Sequence, residues 1–236
     1  MNPVLVFRHS ATEGPGYFAT FLERHGIPLQ LLRIDAGDEV PDTLNGFSGI
    51  CLMGGPMSVN DELPWIAREL SLIRRAVEQK LPVIGHCLGG QLMSKALGGV
   101  VGANPAKEIG WGEVRITDPA AAGAWLGEPS SPLLAFHWHG ETFSIPPGAV
   151  RILDSALCRN QAFVLDERHI GMQCHVEMTP ELIAAWCASG AEEIASSPGP
   201  GVQSAAEMQA DLGDRVPRLH ALADKIYSRW IQGLRK

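Results

Sequence analysis

The stretch Leu81–Gly99, "LPVIGHCLGGQLMSKALGG", decides how this chain is read. "PVIGH" is an apolar run of strand length; "LGGQLMSKAL" has helical spacing and stops at Gly98-Gly99. Between them stands Cys87, with Gly85 two residues before it and Gly89 two after. A cysteine buried only for packing needs no glycine on either side. G-x-C-x-G at a strand-to-helix junction is the pattern of a nucleophile elbow with sulfur in place of oxygen. A sharp turn there puts the thiol at the edge of a sheet and leaves no room for neighbouring side chains, which accounts for both glycines. The helix that follows aims its N-terminus at the sulfur. Its partial positive charge favours thiolate, and its free N–H groups can hold an oxyanion.

Outward from the elbow, strand-like and helical runs alternate. Val4–His9 reads as a first strand, followed by a helix through Phe18, Phe21 and Leu22 that ends near Gly26. "LQLLRID" and "FSGICLMGG" read as the second and third strands. Pro64 opens a helix with Trp65, Ile66, Leu70, Ile73 and Val77 on one stripe. The alternation implies a three-layer α/β fold, a mostly parallel central sheet flanked by helices. In the second half "EIGWGEVRITD", "LLAFHWHGETF", "VRILDSALC", "QAFVLD" and "HIGMQCHVE" are β-like with few helices between them, and "DERH" reads as a hairpin turn. They predict an antiparallel extension. Thr179-Pro180 caps and opens a further helix. From about Ala191 the texture changes. "SSPGPG" looks like a linker. Val216, Leu219, Leu222, Ala223, Ile226 and Trp230 then form a helical stripe. Residues 1–190 are therefore expected to form the main domain, and 191–236 a linker with helices packed on it.

Composition narrows the class. The chain has 236 residues, 45% of them hydrophobic, enough for a sizeable core, and a net charge of −7. No Lys/Arg run exceeds two residues, so neither nucleic acid nor an anionic membrane is an expected partner. "MNPVLVFRHSATEG" lacks a signal-peptide pattern, and no apolar run is long enough to span a bilayer. The five cysteines, Cys51, Cys87, Cys158, Cys174 and Cys187, are odd in number and form no CxxC pair. Reduced thiols and a cytoplasmic setting are expected.

A thiol nucleophile needs a base, and the base an orienting acid. "QCHVEMTPE" offers His175 and Glu177, two apart and on one side of an extended chain. Cys174 and Val176 then face the packing side. In an α/β-hydrolase the order is nucleophile, acid, histidine. Here the acid follows the histidine; Asp154 and Asp166 would restore the other order but sit in no comparable setting.

"GHCLGGQ", "MGGPMSVND", "FHWHGETF" and "CHVEMTPE" together resemble the class I (triad) glutamine amidotransferases, above all stand-alone relatives of the GMP synthase amidotransferase domain. The resemblance covers roughly residues 1–190 and implies a flavodoxin-like class I amidotransferase fold. It implies Cys87 as nucleophile on the glutamine amide, through a γ-glutamyl thioester, with His175 as acid/base and Glu177 as its orienter. It implies an oxyanion hole from the backbone N–H groups of Gly55 and Leu88. It also implies substrate contacts from Gln91 and from the His139-Gly140-Glu141 loop, with Lys107–Trp111 as a flanking structural strand. Three departures stand out. Val176 replaces the proline of the usual His-Pro-Glu, Glu141 replaces the aspartate of His-Gly-Asp, and His86 replaces an apolar residue before the nucleophile.

His137, His139, Cys87 and His175 could together make a metal site, with His137 and His139 on one face of a strand, but no carboxylate or thiol ligand at zinc spacing supports it and the triad accounts better for Cys87 and His175, so no metal is expected. No P-loop or GxGxxG motif occurs, and no cofactor is expected. Three functions stay open: an amidotransferase serving a separate synthetase subunit, a stand-alone hydrolase of γ-glutamyl peptides or conjugates, and a silent binding module.

Overall fold

The first half of the chain runs β1 (Val4–Arg8), α1 (Gly16–Arg24), β2 (Leu29–Arg33), β3 (Gly49–Leu52), α2 (Pro64–Glu78), β4 (Val83–His86) and α3 (Leu88–Ala96). The second half runs β5 (Val101–Ile116), α4 (Pro119–Leu126), β6 (Leu133–Phe143), β7 (Val150–Asp154), β8 (Ala162–Leu165) and β9 (His169–Met172). Four helices close the chain: α5 (Pro180–Ser189), α6 (Ala191–Ser196), α7 (Ala205–Gln209) and α8 (Leu212–Ile231). The computed structural model describes residues 1–127 and 132–235.

Among the described residues nine strands lie in the order β2-β1-β3-β4-β9-β8-β7-β5-β6. The first five are mutually parallel, and the antiparallel extension begins at β8. Apolar side chains on both faces of the parallel strands make the layers. Val4, Val6 and Cys51 pack with Phe18 of α1, Ile183 of α5 and Leu219 of α8. Leu5, Phe7, Ile50 and Leu52 pack on the other face with Leu72 and Ile73 of α2 and Leu92 of α3. This is the three-layer architecture expected of near-continuous apolar strands.

The turn between β8 and β9 puts Asp166 and Glu167 both at positive φ, the geometry of a tight hairpin. Thr179 caps α5 by accepting from the Leu182 N–H. Every member of the C-terminal stripe is buried, and α8 packs on α1, α4 and β6.

The structure corrects three expectations. "HIGMQCHVE" is not one strand. β9 ends at Met172, and His175 pairs instead with Phe136 of β6, its N–H donating to the Phe136 carbonyl at 2.8 Å. The "SSPGPG" segment is not a free linker. The Ile109 N–H donates to the Gly201 carbonyl at 2.8 Å, and the Gln203 N–H to Ile109 at 2.9 Å. β5 starts at Val101, seven residues before "EIGW", and absorbs Pro105 in a register shift between Ala103 and Glu108. α4 and α6 were not foreseen. α4 is capped by Asp118 but is too rich in alanine and glycine to show a stripe. Among the described residues no helix is long and apolar enough to cross a membrane.

Candidate active site

Four parallel strands, β1, β3, β4 and β9, deliver their C-terminal loops to one edge of the sheet. Sheet order reverses between β1 and β3, and such a switch point is where open α/β sheets form clefts. A cleft of about 470 Å³ opens there. Cys87, Gly55, Gln91, His139, Gly140, Glu141 and His175 all line it.

The elbow has the strained form its glycines imply. Cys87 holds φ 49° and ψ −106°, a region costly for any residue with a side chain. A Cβ on Gly85 would stand 2.4 Å from the Gly89 carbonyl carbon, and one on Gly89 2.2 Å from the Leu52 oxygen. The Cys87 N–H donates to the Met172 carbonyl at 2.8 Å, tying the turn to β9. Parallel register sets His86 level with Met172, so the chain leaving β9 passes beside the cysteine three residues later, at His175. Leu88 heads α3 with its N–H free of the helix ladder. Its side chain and Gly55 adjoin, since a Cβ on Gly55 would lie 2.7 Å from Leu88 Cδ2. His9 anchors the strand end that enters the Gly54-Gly55 loop. Its Nδ1 donates to the Met53 carbonyl at 3.1 Å, and its Nε2 meets the Glu69 carboxylate at 3.0 Å.

His175 Nδ1 and Glu177 Oε1 are 2.6 Å apart, and both side chains are buried. Burial alone would lower the imidazole pKa, but the charges of Glu177 and Cys87 outweigh it and raise it well above 6.5. Burial works against ionisation of Glu177 too, yet His175 and then His86 bring its pKa down to about 2. Nδ1 is therefore committed to the carboxylate. Nε2 has no partner among the described residues. An unpartnered ring nitrogen beside a thiol, with the other nitrogen fixed by an acid, is the geometry of a general base.

His86 does not reach the cleft. It is fully buried behind Glu177, with Nε2 3.9 Å from Glu177 Oε2 and 3.0 Å from the Tyr227 hydroxyl of α8. Burial lowers its pKa, against the Glu177 charge, which raises it. Gln173, which sequence reasoning also missed, donates from Nε2 to Cys87 Sγ at 3.4 Å and accepts from Gln91 Nε2 at 3.2 Å. Its signal was available: Gln173, His175 and Glu177 alternate along one segment. Cys174 is buried, and its thiol pKa is pushed up by desolvation, as a packing residue requires.

The His139-Gly140-Glu141 loop is braced from below. His139 Nδ1 donates to the Glu141 carbonyl at 2.9 Å, and Nε2 meets Glu108 at 3.0 Å. The Glu141 carboxylate accepts from the Ser58 hydroxyl at 3.0 Å. Both imidazole nitrogens are thus engaged inside the protein, and of the three cleft-lining residues Gly140 and Glu141 remain to offer polar groups to a ligand. At the rim, Glu193 of α6 joins Lys107 (2.7 Å) and the Trp138 indole N–H (2.9 Å). One carboxylic acid was not foreseen at all: Glu13, from the loop after β1, lines the same cleft.

The four residues considered for a metal do not form one group: Cys87 and His175 line the cleft, while His137 and His139 lie with Glu108, each offering one ligand atom within 4.8 Å of the others, and of these three only His139 also reaches the cleft wall. Strand register supplies the carboxylate that sequence spacing lacked, because Glu108 on β5 is paired with His139 on β6. Glu108 and His139 already satisfy each other, and Ser155 and Gln161 also donate to Glu108. Burial lowers the His137 pKa to about 4.

Residues 18–188 match the family model "glutamine amidotransferase class-I". The chain is 31% identical over 208 residues to the glutamine amidotransferase-like protein YfeJ of Salmonella typhimurium, covering 86% of this chain and 87% of that one. It is 30% identical over 142 residues to the glutamine-hydrolyzing GMP synthase of Aeropyrum pernix, covering 58% of this chain and only 26% of that protein. The crystal structure of a glutamine amido transferase from Methylobacillus flagellatus superposes with a TM-score of 0.97 at 48% identity, over 100% of this chain and 96% of that one.

Proposed function

Because the chain belongs to the class I glutamine amidotransferase family, we propose that it hydrolyses the side-chain amide of glutamine with Cys87 as nucleophile. The observation that carries the reading is the meeting, in one cleft, of the strained Cys87 elbow and His175, whose ring is held from behind by Glu177. The Cys87 thiolate attacks the amide carbon. Backbone N–H groups of Gly55 and Leu88 hold the oxygen as it gains charge, each contributing a few kcal/mol. His175 Nε2 protonates the nitrogen, the C–N bond breaks and ammonia leaves. His175 then takes a proton from water as the water opens the γ-glutamyl thioester to glutamate. Glu177 keeps the imidazole in the tautomer that leaves Nε2 free for transfer. Gln91, Gly140 and Glu141 hold the amino-acid end of the substrate.

The ammonia goes to a separate synthetase subunit or is released. A second reading keeps the thioester and changes the leaving amine: hydrolysis of γ-glutamyl peptides or conjugates. The cleft extends from the triad to Trp138, Trp186, Ser189 and Glu193, which provides walls for a leaving group larger than ammonia.

Purified protein is expected to release glutamate from glutamine, and Cys87→Ala to lose at least roughly 10³-fold in kcat. Glutamate release by Cys87→Ala at the wild-type rate overturns the assignment. Comparing kcat/KM for glutamine with that for γ-glutamyl dipeptides decides between the two readings.

A further inference from the structure

The loop after β1 brings to the cleft a carboxylic acid that none of the roles above uses. The loop is held at both ends. The Glu13 N–H donates to the Ser10 carbonyl at 3.1 Å, and the Tyr17 N–H to the Glu177 carbonyl at 2.8 Å. A Cβ on Gly16 would come within 2.3 Å of that same Glu177 oxygen, so the loop lies directly against the triad segment.

The Glu13 side chain then turns toward the catalytic histidine. Glu13 Oε2 lies 2.3 Å from the point where a Cβ of Gly54 would stand, and His175 Cε1 lies 3.2 Å from the same point. The carboxyl group and the imidazole edge therefore share the space beside Gly54, which only glycine leaves open. Cε1 is the ring carbon between the two nitrogens: Nδ1 is taken by Glu177, which leaves Nε2 as the nitrogen that exchanges protons with the substrate. Among the described residues the Glu13 carboxylate has no hydrogen-bond or ion-pair partner, although it borders the groups that would handle the amine. Desolvation first, and then the Glu177 charge, push its pKa up to about 7, against His175 and His9.

We propose that Glu13 is the amine-side residue of the reaction, accepting a hydrogen bond from the nitrogen that leaves and from the water or amine that replaces it. The proposal rests on the thioester reading above. In the first half-reaction the S–C bond forms and the C–N bond breaks. The Nε2 proton goes to the departing nitrogen, and the neutral amine hydrogen-bonds to Glu13 before it escapes. In the second half-reaction the entering water donates one proton toward Nε2 and the other as a hydrogen bond to Glu13, so its oxygen faces the thioester carbon. An external amine would use the same position. Glu13 exchanges no electrons and need not hold a proton throughout.

The test separates events at the sulfur from events at the amine. 6-Diazo-5-oxo-L-norleucine alkylates the nucleophile and loses dinitrogen, not an amine. Wild type, Glu13→Gln, Glu13→Ala and Glu13→Asp are compared in three measurements. Cys87 labelling is expected to stay within about threefold of wild type in all the variants, which also reports that the site is folded. Glutamine turnover by Glu13→Gln and Glu13→Ala is expected to fall in kcat by roughly ten- to a hundredfold with KM little changed, and Glu13→Asp to recover part of the loss. With hydroxylamine present, the ratio of γ-glutamyl hydroxamate to glutamate is expected to shift at least about threefold. Labelling and turnover falling together would make Glu13 a structural prop and overturn the proposal. So would unchanged turnover with an unchanged hydroxamate ratio. Wild-type protein that neither labels nor releases glutamate overturns the thioester reading itself, a result distinct from any failure of the Glu13 variants.

Discussion

At the scale of single residues, the His175–Glu177 pair makes stability depend on pH with a definite sign. Glu177 has a folded pKa of about 2, below the ordinary 4.5. Its contribution is therefore fully present above pH 4.5 and is lost as the pH falls through 2. His175 is shifted the other way. Its contribution is complete below 6.5 and fades as the pH rises through its higher folded value. Glu177→Gln is expected to be less stable than wild type at pH 6, with the gap narrowing steadily between pH 4.5 and 2 in urea titrations. A gap that stays constant over that window would show that the carboxylate charge contributes nothing. The same substitution leaves Nδ1 with a neutral partner, and kcat for glutamine is expected to fall on the order of 10²- to 10⁴-fold.

Among the elements, α8 does more than cover apolar surface. Its Tyr227 hydroxyl meets His86 Nε2 at 3.0 Å, and His86 stands behind the Glu177 oxygen that, among the described residues, has no hydrogen bond of its own. The helix thus stands behind Glu177, the acid of the proposed triad, from a position about fifty residues further along the chain. Tyr227→Phe keeps the buried ring and removes only the hydroxyl. Stability is expected to drop by about 1 kcal/mol, the ordinary loss of one buried hydrogen bond. The kcat for glutamine is expected to fall a few-fold, with KM unchanged. A stability loss with no change in kcat would confine Tyr227 to packing. The elbow is an element-scale device as well. Gly85 lets β4 approach α3 where a methyl would stand 2.4 Å from the Gly89 carbonyl carbon, Gly89 lets α3 approach the Leu52 oxygen of β3, and the cysteine between them holds a positive φ.

For the whole molecule, we propose that residues 191–236 are part of one cooperative unit and not an appendage. Leu219, Ile226 and Trp230 of α8 are buried in the same core as Val4 and Val6 of β1, and a Cβ on Gly49 would lie 3.0 Å from the Trp230 ring. Removing residues 204–236 would expose that stripe and the sheet face beneath it. Each large side chain stripped from such a core costs about 2–5 kcal/mol, and a domain of this kind holds only about 5–15 kcal/mol in total. The truncated chain is expected to lack a cooperative transition in circular dichroism and to aggregate, while the full chain unfolds in one step by fluorescence and circular dichroism alike. A soluble, cooperatively folding truncation would restore the boundary near residue 190.

Features encoded within a few residues of one another could be read directly. Gly85, Cys87 and Gly89 announce a turn, because the sterics that require glycine act locally. His175 and Glu177 are neighbours through backbone geometry alone, and Thr179-Pro180 starts a helix for the same kind of reason. Apolar periodicity sorted strands from helices and placed the C-terminal stripe, since burial has the period of the element. Only the tertiary structure decided which strands lie side by side, and the remaining site residues depend on that. β9 beside β4 brings His175 to Cys87, β5 beside β6 brings Glu108 to His139, and α8 against α1 brings Tyr227 to His86. Glu13, forty-one residues before Gly54 in the chain, meets it because β1 and β3 are adjacent. Strand pairing is a sum of many weak contacts over the whole sheet, and no short stretch of sequence carries it. The turn at Cys87 was therefore legible in one line of residues, while the side chains around it were settled by the register of the sheet.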